Sequence, residues 1–469
     1  MAILPFSNLT GDPAFDWVAN AGPAILSQEL AGGARVLPLR AASVGTAALE
    51  NATQLLHCTF TQRDGSLQIQ YALEDASRHR MIATGAVDGT PLFAVSALAR
   101  TLDPDGAHPF STPNPEAAAA WGRGEFERAV TLDPDFGTAW ASWIAQSAQA
   151  GKPDLAVELA ERALARASLR TPLDKAQIQL NYATLRKDEG ARVAALSELA
   201  RLAPHDTGAL LGLAVIQQQA RKYSAAAELY RRVLAIDPGN AAALNSLGYA
   251  EGESGDLEAA KKTFEDYGRI PNQAINALDS LGEVYFMNGR FAEAEKYFAQ
   301  VSARDPNFLK GAPLMKAAYA HWLGGDLAGA DGLMQKYLAF LAAHNDPLAV
   351  WREAVWSYAT GRHEQALAAL AKAPPDQAAT MERQRAVWRG EAHIPDDLNQ
   401  LRAAYESTNP AADGLPRTLY AAALLRAGKS GEARALLKLW PLPESASDSL
   451  LQSLMYPRFL ELRKALKIQ

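Results

Sequence analysis

Long apolar runs are missing from this sequence: no stretch of about 18 apolar residues occurs that could span a bilayer. No basic-then-apolar signal segment is read either. Cysteine is nearly absent. Cys58 stands alone, so the chain can close no internal disulfide; it reads as a small buried strand residue rather than a reactive thiol. The lack of pairs fits a reducing compartment without establishing one. Positive charge is not in excess, and a net charge of −6 argues against nucleic acid as a partner. The eight histidines are scattered with none at HxxH or HxxxH spacing, so no metal site is read. No Gly-x-Ser-x-Gly elbow is present. Gly428-Lys429-Ser430 has the end of a phosphate-binding loop, but Ala423 stands where that motif needs glycine. Asn8-Leu9-Thr10 and Asn51-Ala52-Thr53 have the form of glycosylation sites, a motif too short to carry weight. No catalytic residue and no cofactor is assigned, and the chain is expected not to be an enzyme.

What remains is a helix-forming composition, 48% apolar and visibly rich in Ala, Leu, Glu and Arg. It is organised as repeats. Leu247 and Leu281, Gly255 and Gly289, Ala260 and Ala294, and Phe264 and Phe298 are each 34 residues apart. The preceding segment supplies Leu213, Tyr223, Ala226, Tyr230 and Asp237-Pro238. Each position has a physical task. The glycine after Leu247 or Leu281 lets two helices approach. Gly255 and Gly289 supply a left-handed turn that costs little only for glycine. Ala260 and Ala294 leave room at a helix crossing, and Pro238 and Pro306 end the second helix.

These residues resemble the tetratricopeptide-repeat (TPR) family. The pattern continues outward at Gly325, Ala330 and Tyr337; at Gly361, Ala366 and Leu370; and at Gly428, Ala433 and Leu437. Towards the N-terminus it takes in Trp140, Trp143, Gly151 and Ala156, then Tyr182, Gly190 and Ala195. Seven to nine helix pairs are expected between about 115 and 442. Ser449–Ile468, apolar at Leu450, Leu451, Leu454, Phe459, Leu460 and Leu462 and interrupted by Pro457, reads as a capping helix.

The first hundred residues differ in texture. Ile3–Phe6 reads as a buried strand. Phe15–Leu30 reads as a helix with Asp12 and Pro13 at its start. Arg35–Leu39 reads as a strand and Ala41–Leu49 as a short helix. Leu55–Gln62 and Leu67–Glu74 alternate about Asp64-Gly65, a hairpin signal. Arg80–Val87 and Pro91–Leu102 complete a β-α-β-α-β-β-β-α order. The opening Ile3-Leu4-Pro5-Phe6-Ser7-Asn8-Leu9-Thr10-Gly11-Asp12-Pro13 resembles a TolB-like N-terminal domain. That domain often precedes TPR arrays attached to bacterial serine/threonine kinase, adenylate-cyclase or winged-helix regulator domains. Phe126–Phe136 and Tyr456-Pro457-Arg458-Phe459 resemble the entry and tail of such arrays. No kinase, cyclase or DNA-binding segment is found in the chain, so those activities carry over to no residue.

The expectation is therefore a mainly α protein, a TPR-type α-α superhelical solenoid preceded by a small α/β domain. The expected boundaries are 1–102 for the α/β domain, 103–136 for a connector with an abbreviated helix pair, 137–442 for the solenoid and 443–469 for the cap. The chain opens on an apolar run, which suggests a piece of a longer protein attached to an effector domain. Its compartment is open: cytoplasmic, or periplasmic if it belongs to a membrane-anchored regulator. The resemblance implies a scaffold or sensor module that takes a protein or peptide in the groove lined by the first helix of each pair. By period that lining includes Asn276, Asp279, Glu283, Phe286, Met315, Lys316, Tyr319, Trp322, Trp351, Arg352, Val355 and Tyr358. One reading makes Phe286, Met315, Tyr319, Trp322, Trp351 and Tyr358 a largely aromatic binding wall, with Lys316 and Arg352 as cations beside it. The other has these side chains packing between adjacent repeats. His321, beside Trp322, reads as a partly exposed histidine near the groove. The alternative function is a small-molecule receptor or enzyme using the α/β domain, which a deep polar pocket with convergent acids or histidines would favour.

Overall fold

The computed structural model describes residues 1–375, apart from Gly32, Ala34, Arg35, Glu50, Asn51, Asp64, Ala167 and Arg170. Beyond them it describes 395–407, 427–438 and a few single positions. The expected capping helix after 443 lies outside the described residues. The chain forms two compact units, Met1–Leu213 and Ala214–Gln469.

The first unit begins with a mixed sheet. Its strands are β1 (Ala2–Ile3), β2 (Ser7–Asn8), β3 (Leu39–Arg40), β4 (Gln54–Arg63), β5 (Ser66–Asp75) and β6 (Arg80–Gly89), with helices α1 (Asp16–Leu30), α2 (Val44–Leu49) and α3 (Pro91–Leu102) interleaved. The spatial order is β3-β1-β4-β5-β6, with β2 also on β4. Strands β1, β2 and β3 pair in parallel; β4, β5 and β6 form an antiparallel meander. The expected first strand is broken in two. Leu4 still donates to Leu56 at 3.2 Å, but Pro5 has no N–H to continue the ladder. Arg63 faces Ser66 across a two-residue hairpin loop in which Gly65 has φ +81°. Asp12 accepts from the Ala14 N–H at 2.8 Å and caps a short 3-10 turn that leads into α1.

Alternation along β4 and β5 sends Leu56, Cys58, Phe60, Leu67 and Ile69 to one side, where they meet Val18, Ile25 and Leu26 of α1 and Val95 and Leu98 of α3. Burial pushes the Cys58 thiol up, away from the reactive range. This core does not stop at residue 102. It runs on through α4 (Pro115–Gly122), α5 (Phe126–Leu132), α6 (Gly137–Gln149) and α7 (Pro153–Leu164) to Ile178 of α8 (Pro172–Arg186), which packs on α9 (Glu189–Leu202).

Helix α10 (Thr207–Gln219) spans the boundary between the units. The second unit continues with α11 (Tyr223–Ile236), α12 (Ala241–Glu253), α13 (Leu257–Tyr267), α14 (Ala274–Met287), α15 (Phe291–Arg304), α16 (Ala312–Leu323), α17 (Leu327–Ala343), α18 (Ala349–Ala359) and α19 (His363–Leu370), then α20 (Pro395–Ser407) and α21 (Ser430–Lys438). Among the described residues no strand occurs from 205 to 375. Among the described residues seven helix pairs pack within themselves, from α4 with α5 to α18 with α19.

The repeat register is visible atom by atom. The fourth residue of the second helix is Ala129, Ala156, Ala226, Ala260, Ala294, Ala330, Ala366 and Ala433, each at 0% exposure. A Cβ on Gly248 would stand 2.6 Å from the Phe264 ring, and one on Gly282 would stand 2.6 Å from Phe298. Those glycines let the second helix lay its phenylalanine on the first. The turn between the helices holds a residue with positive φ, glycine at 124, 151, 255, 289, 325, 361 and 428. In the repeats between 151 and 255 that place is taken by Lys187 (φ +55°) and Arg221 (φ +58°). Gly190, expected to mark the turn, is instead the second residue of α9, and the alanine position of that repeat is Arg192 rather than Ala195.

Candidate partner-binding face

In the second unit the expected lining residues lie on the first helices α14, α16 and α18, which follow α12. At their centre lies a buried charge cluster. Lys316 Nζ donates to Asp279 Oδ2 and Glu283 Oε1, each at 2.6 Å, and Tyr249 OH donates to Glu283 Oε2 at 2.6 Å. The 34-residue period makes this possible, because Tyr249 and Glu283 are equivalent positions of successive repeats. The ammonium also sits 5.6 Å from the centre of the Phe298 ring.

Two carboxylates share one cation here. Burial pushes the Asp279 carboxyl up to about 6, against the pull of Lys316. Burial alone would draw Lys316 down, but Glu283 and Asp279 outweigh it and hold the ammonium above its ordinary range. Burial, then the charge of Glu283, carries Tyr249 well above its ordinary value and keeps it a donor. Asp279 Oδ1 is buried without a partner.

Four of the expected wall residues are buried. Phe286 (7% exposed), Met315 (4%), Lys316 (3%) and Tyr319 (1%) are core. The reason is that each first helix packs on its own second helix and on the neighbouring repeat, so a position facing either is covered. Phe286 packs edge-on against Phe291 of its own second helix at 5.5 Å, and Tyr319 against Trp356 of the next first helix at 5.3 Å. Lys316, neutralised by two carboxylates, offers a partner no charge. Trp322, Trp351, Arg352 and Tyr358 are half-buried and keep part of their surface. Val355 is buried, and Asn276 is half-buried with its amide donating to Tyr267 OH at 2.8 Å.

The ring at the centre of this region, Trp356, was not singled out from the sequence. It touches both Tyr319 and Trp322, and its Nε1 donates to Asp331 Oδ1 at 2.7 Å, where Arg362 also binds. Its spacing of 34 from Trp322 was the available signal. His321 is half-buried, with Nδ1 at 2.8 Å from Glu295 and Nε2 at 2.9 Å from Asp326. The hydrogen bond to Glu295, then that to Asp326, raises its pKa. These are a histidine's ordinary carboxylate partners, and no group of three His, Cys, Asp or Glu side chains fit to hold a metal occurs among the described residues. No helix among them is long and apolar enough to cross a membrane.

Residues 217–281 match the Tetratricopeptide repeat family. No curated protein matches the sequence. Among solved structures, the chain is similar to MamA protein at 18% identity, TM-score 0.32, over 36% of this chain and 92% of that one. A tetratricopeptide repeat protein from Parabacteroides merdae aligns at 15% identity, TM-score 0.41, over 54% and 96%. Pseudomonas aeruginosa pilF aligns at 18% identity, TM-score 0.31, over 46% and 100%. The family match and the helix-pair geometry give one fold: mainly α, built of tetratricopeptide-type helix pairs, with a small sheet unit at the N-terminus.

Proposed function

We propose that the chain is a protein-interaction scaffold or sensor module of bacterial signalling or regulation, which takes a protein or peptide along the first-helix face of its second unit. The observation that carries this is the half-exposed set Trp322, Trp351, Arg352 and Tyr358 on successive first helices. Aromatic side chains give large contact area at small entropy cost. Arg352, half-buried among these rings, adds a positive charge that favours an acidic, aromatic-containing peptide. The signalling context rests on the resemblance of the opening segment to TolB-like domains.

The test is site-specific photo-crosslinking. A crosslinker replacing Trp351 should trap a partner that the same crosslinker at Gln335, exposed on the second helix α17, does not. Trp351→Ala with Arg352→Glu should then abolish capture at unchanged melting temperature. Trapping only from Gln335, or undiminished capture by the double variant, refutes the assignment of this face.

A further inference from the structure

The first unit holds a cavity of about 790 Å³ framed by α1, α3, α8 and the segment 108–115. Its walls are apolar, with Leu92, Phe93, Phe110, Leu173 and Leu202 prominent, and the volume is that of a site for a small organic ligand. The polar groups of its lining are not uniform: one set is saturated and another is not.

Asp174 is saturated. Its carboxylate accepts from Ser111 Oγ at 2.6 Å, Thr138 Oγ1 at 3.0 Å and Thr171 Oγ1 at 2.6 Å. Thr138 has spent its only hydroxyl proton on Asp174, so towards Gln28 it acts as acceptor, and Gln28 Nε2 donates to it at 3.0 Å. That fixes the Gln28 amide with Oε1 turned away from Thr138, and Gln28 Oε1 has no partner. Beside it in sequence, Glu29 is 2% exposed. Its Oε1 accepts from Ser96 Oγ at 2.5 Å and from the Phe110 N–H at 2.9 Å, while its Oε2 has no partner. Buried polar atoms are almost always hydrogen-bonded, so two orphan oxygens on residues that line one apolar cavity point to a ligand that supplies donors.

We propose that this cavity binds a small organic amine, an apolar aryl or alkyl body with a primary ammonium head that donates to Gln28 Oε1 and Glu29 Oε2. An ammonium has three donors and a charge opposite to the Glu29 carboxylate, whereas a hydroxyl has one donor and no charge. The other charged or titratable groups facing the cavity are Arg100 of α3, His108 of the connecting segment and Asp174 of α8. Arg100 lies over the exposed Phe93 ring, 5.4 Å from its centre, which engages the guanidinium at that ring. Burial pushes the Glu29 carboxyl up to about 7, against the hydrogen bonds from Ser96 and Phe110 and the charge of Arg100. An arriving ammonium favours the carboxylate, so binding near neutral pH releases a proton from Glu29 to solvent.

Calorimetry on the full chain tests this with phenethylamine and primary amines of short, medium and long alkyl tail, against 2-phenylethanol and 3-phenylpropanoate. At least one amine should bind with a stoichiometry of one, at least about tenfold tighter than the alcohol and the carboxylate. Its heat should change with the ionisation enthalpy of the buffer near neutral pH. Glu29→Gln should weaken amine binding by about tenfold or more and abolish the buffer dependence. Leu173→Trp, which fills the cavity, should abolish binding while Glu29 stays in place. No heat from any amine, tighter binding of the carboxylate, or wild-type affinity in folded Glu29→Gln overturns the proposal.

Discussion

At the scale of single residues the repeat is a matter of volume. Ala260 and Ala294 fill the fourth position of their helices with no exposed surface. Leucine at either position forces extra methylenes into a packed crossing, and each variant should lose about 1–3 kcal/mol in urea unfolding. Unchanged stability in both would show that the register is wrong. Glu29 makes a second residue-scale case. Its folded pKa of about 7 lies above the 4.5 of the exposed group. The native state therefore holds a proton that the unfolded chain has released between those values. Its stabilising contribution is complete below about 4.5 and is lost as pH rises through 7. The loss is at most about 3 kcal/mol. Glu29→Gln should flatten that part of the stability–pH curve; a curve parallel to wild type would mean that the carboxyl is ionised throughout. These residues also mark what sequence could and could not tell. Period alone located the alanine column at Ala260 and Ala294. It could not see that Lys187 adopts the turn conformation usually left to glycine, and so Gly190 drew the turn three residues too far on.

At the scale of elements the charge cluster ties three first helices together, Tyr249 from α12, Asp279 and Glu283 from α14, and Lys316 from α16. Removing the cation leaves two buried carboxylates facing each other. Lys316→Met should therefore cost about 3–5 kcal/mol, and adding Asp279→Asn should restore part of it. Equal stability of wild type and Lys316→Met would show the cluster to be solvated. Here the sequence was legible in position but not in role. The spacing put Lys316, Tyr319 and Trp322 on one helix side by side. Whether each faces a partner or the next repeat depends on how far that repeat overlaps it, and a one-dimensional pattern does not contain that distance. The hairpin and α3 were easier, because Asp64-Gly65 and Pro91 act locally and need no neighbour to decide their meaning.

At the scale of the molecule, the change in sequence texture near residue 102 is not a boundary of the core. Phe110, Ala117, Ala120 and Val130 share one cluster with Ile3 and Leu26, and a Cβ on Gly122 of α4 would stand 2.6 Å from the Ala21 methyl of α1. A fragment ending at 102 should thus expose apolar surface and melt without cooperativity, whereas one ending at 202 should unfold in a single transition. Cooperative melting of the shorter fragment at the temperature of the longer would contradict a shared core. The same core encloses the chain's one thiol. Cys58 is held beneath α1 and α3 by side chains from both, so a thiol reagent can reach it only when the sheet parts from its helices. The rate at which a coloured disulfide reagent titrates native protein, divided by its rate with unfolded chain, then reads directly the fraction of time that this layer stands open. The lone cysteine is a built-in clock for the breathing of the first unit, and it needs no engineered label.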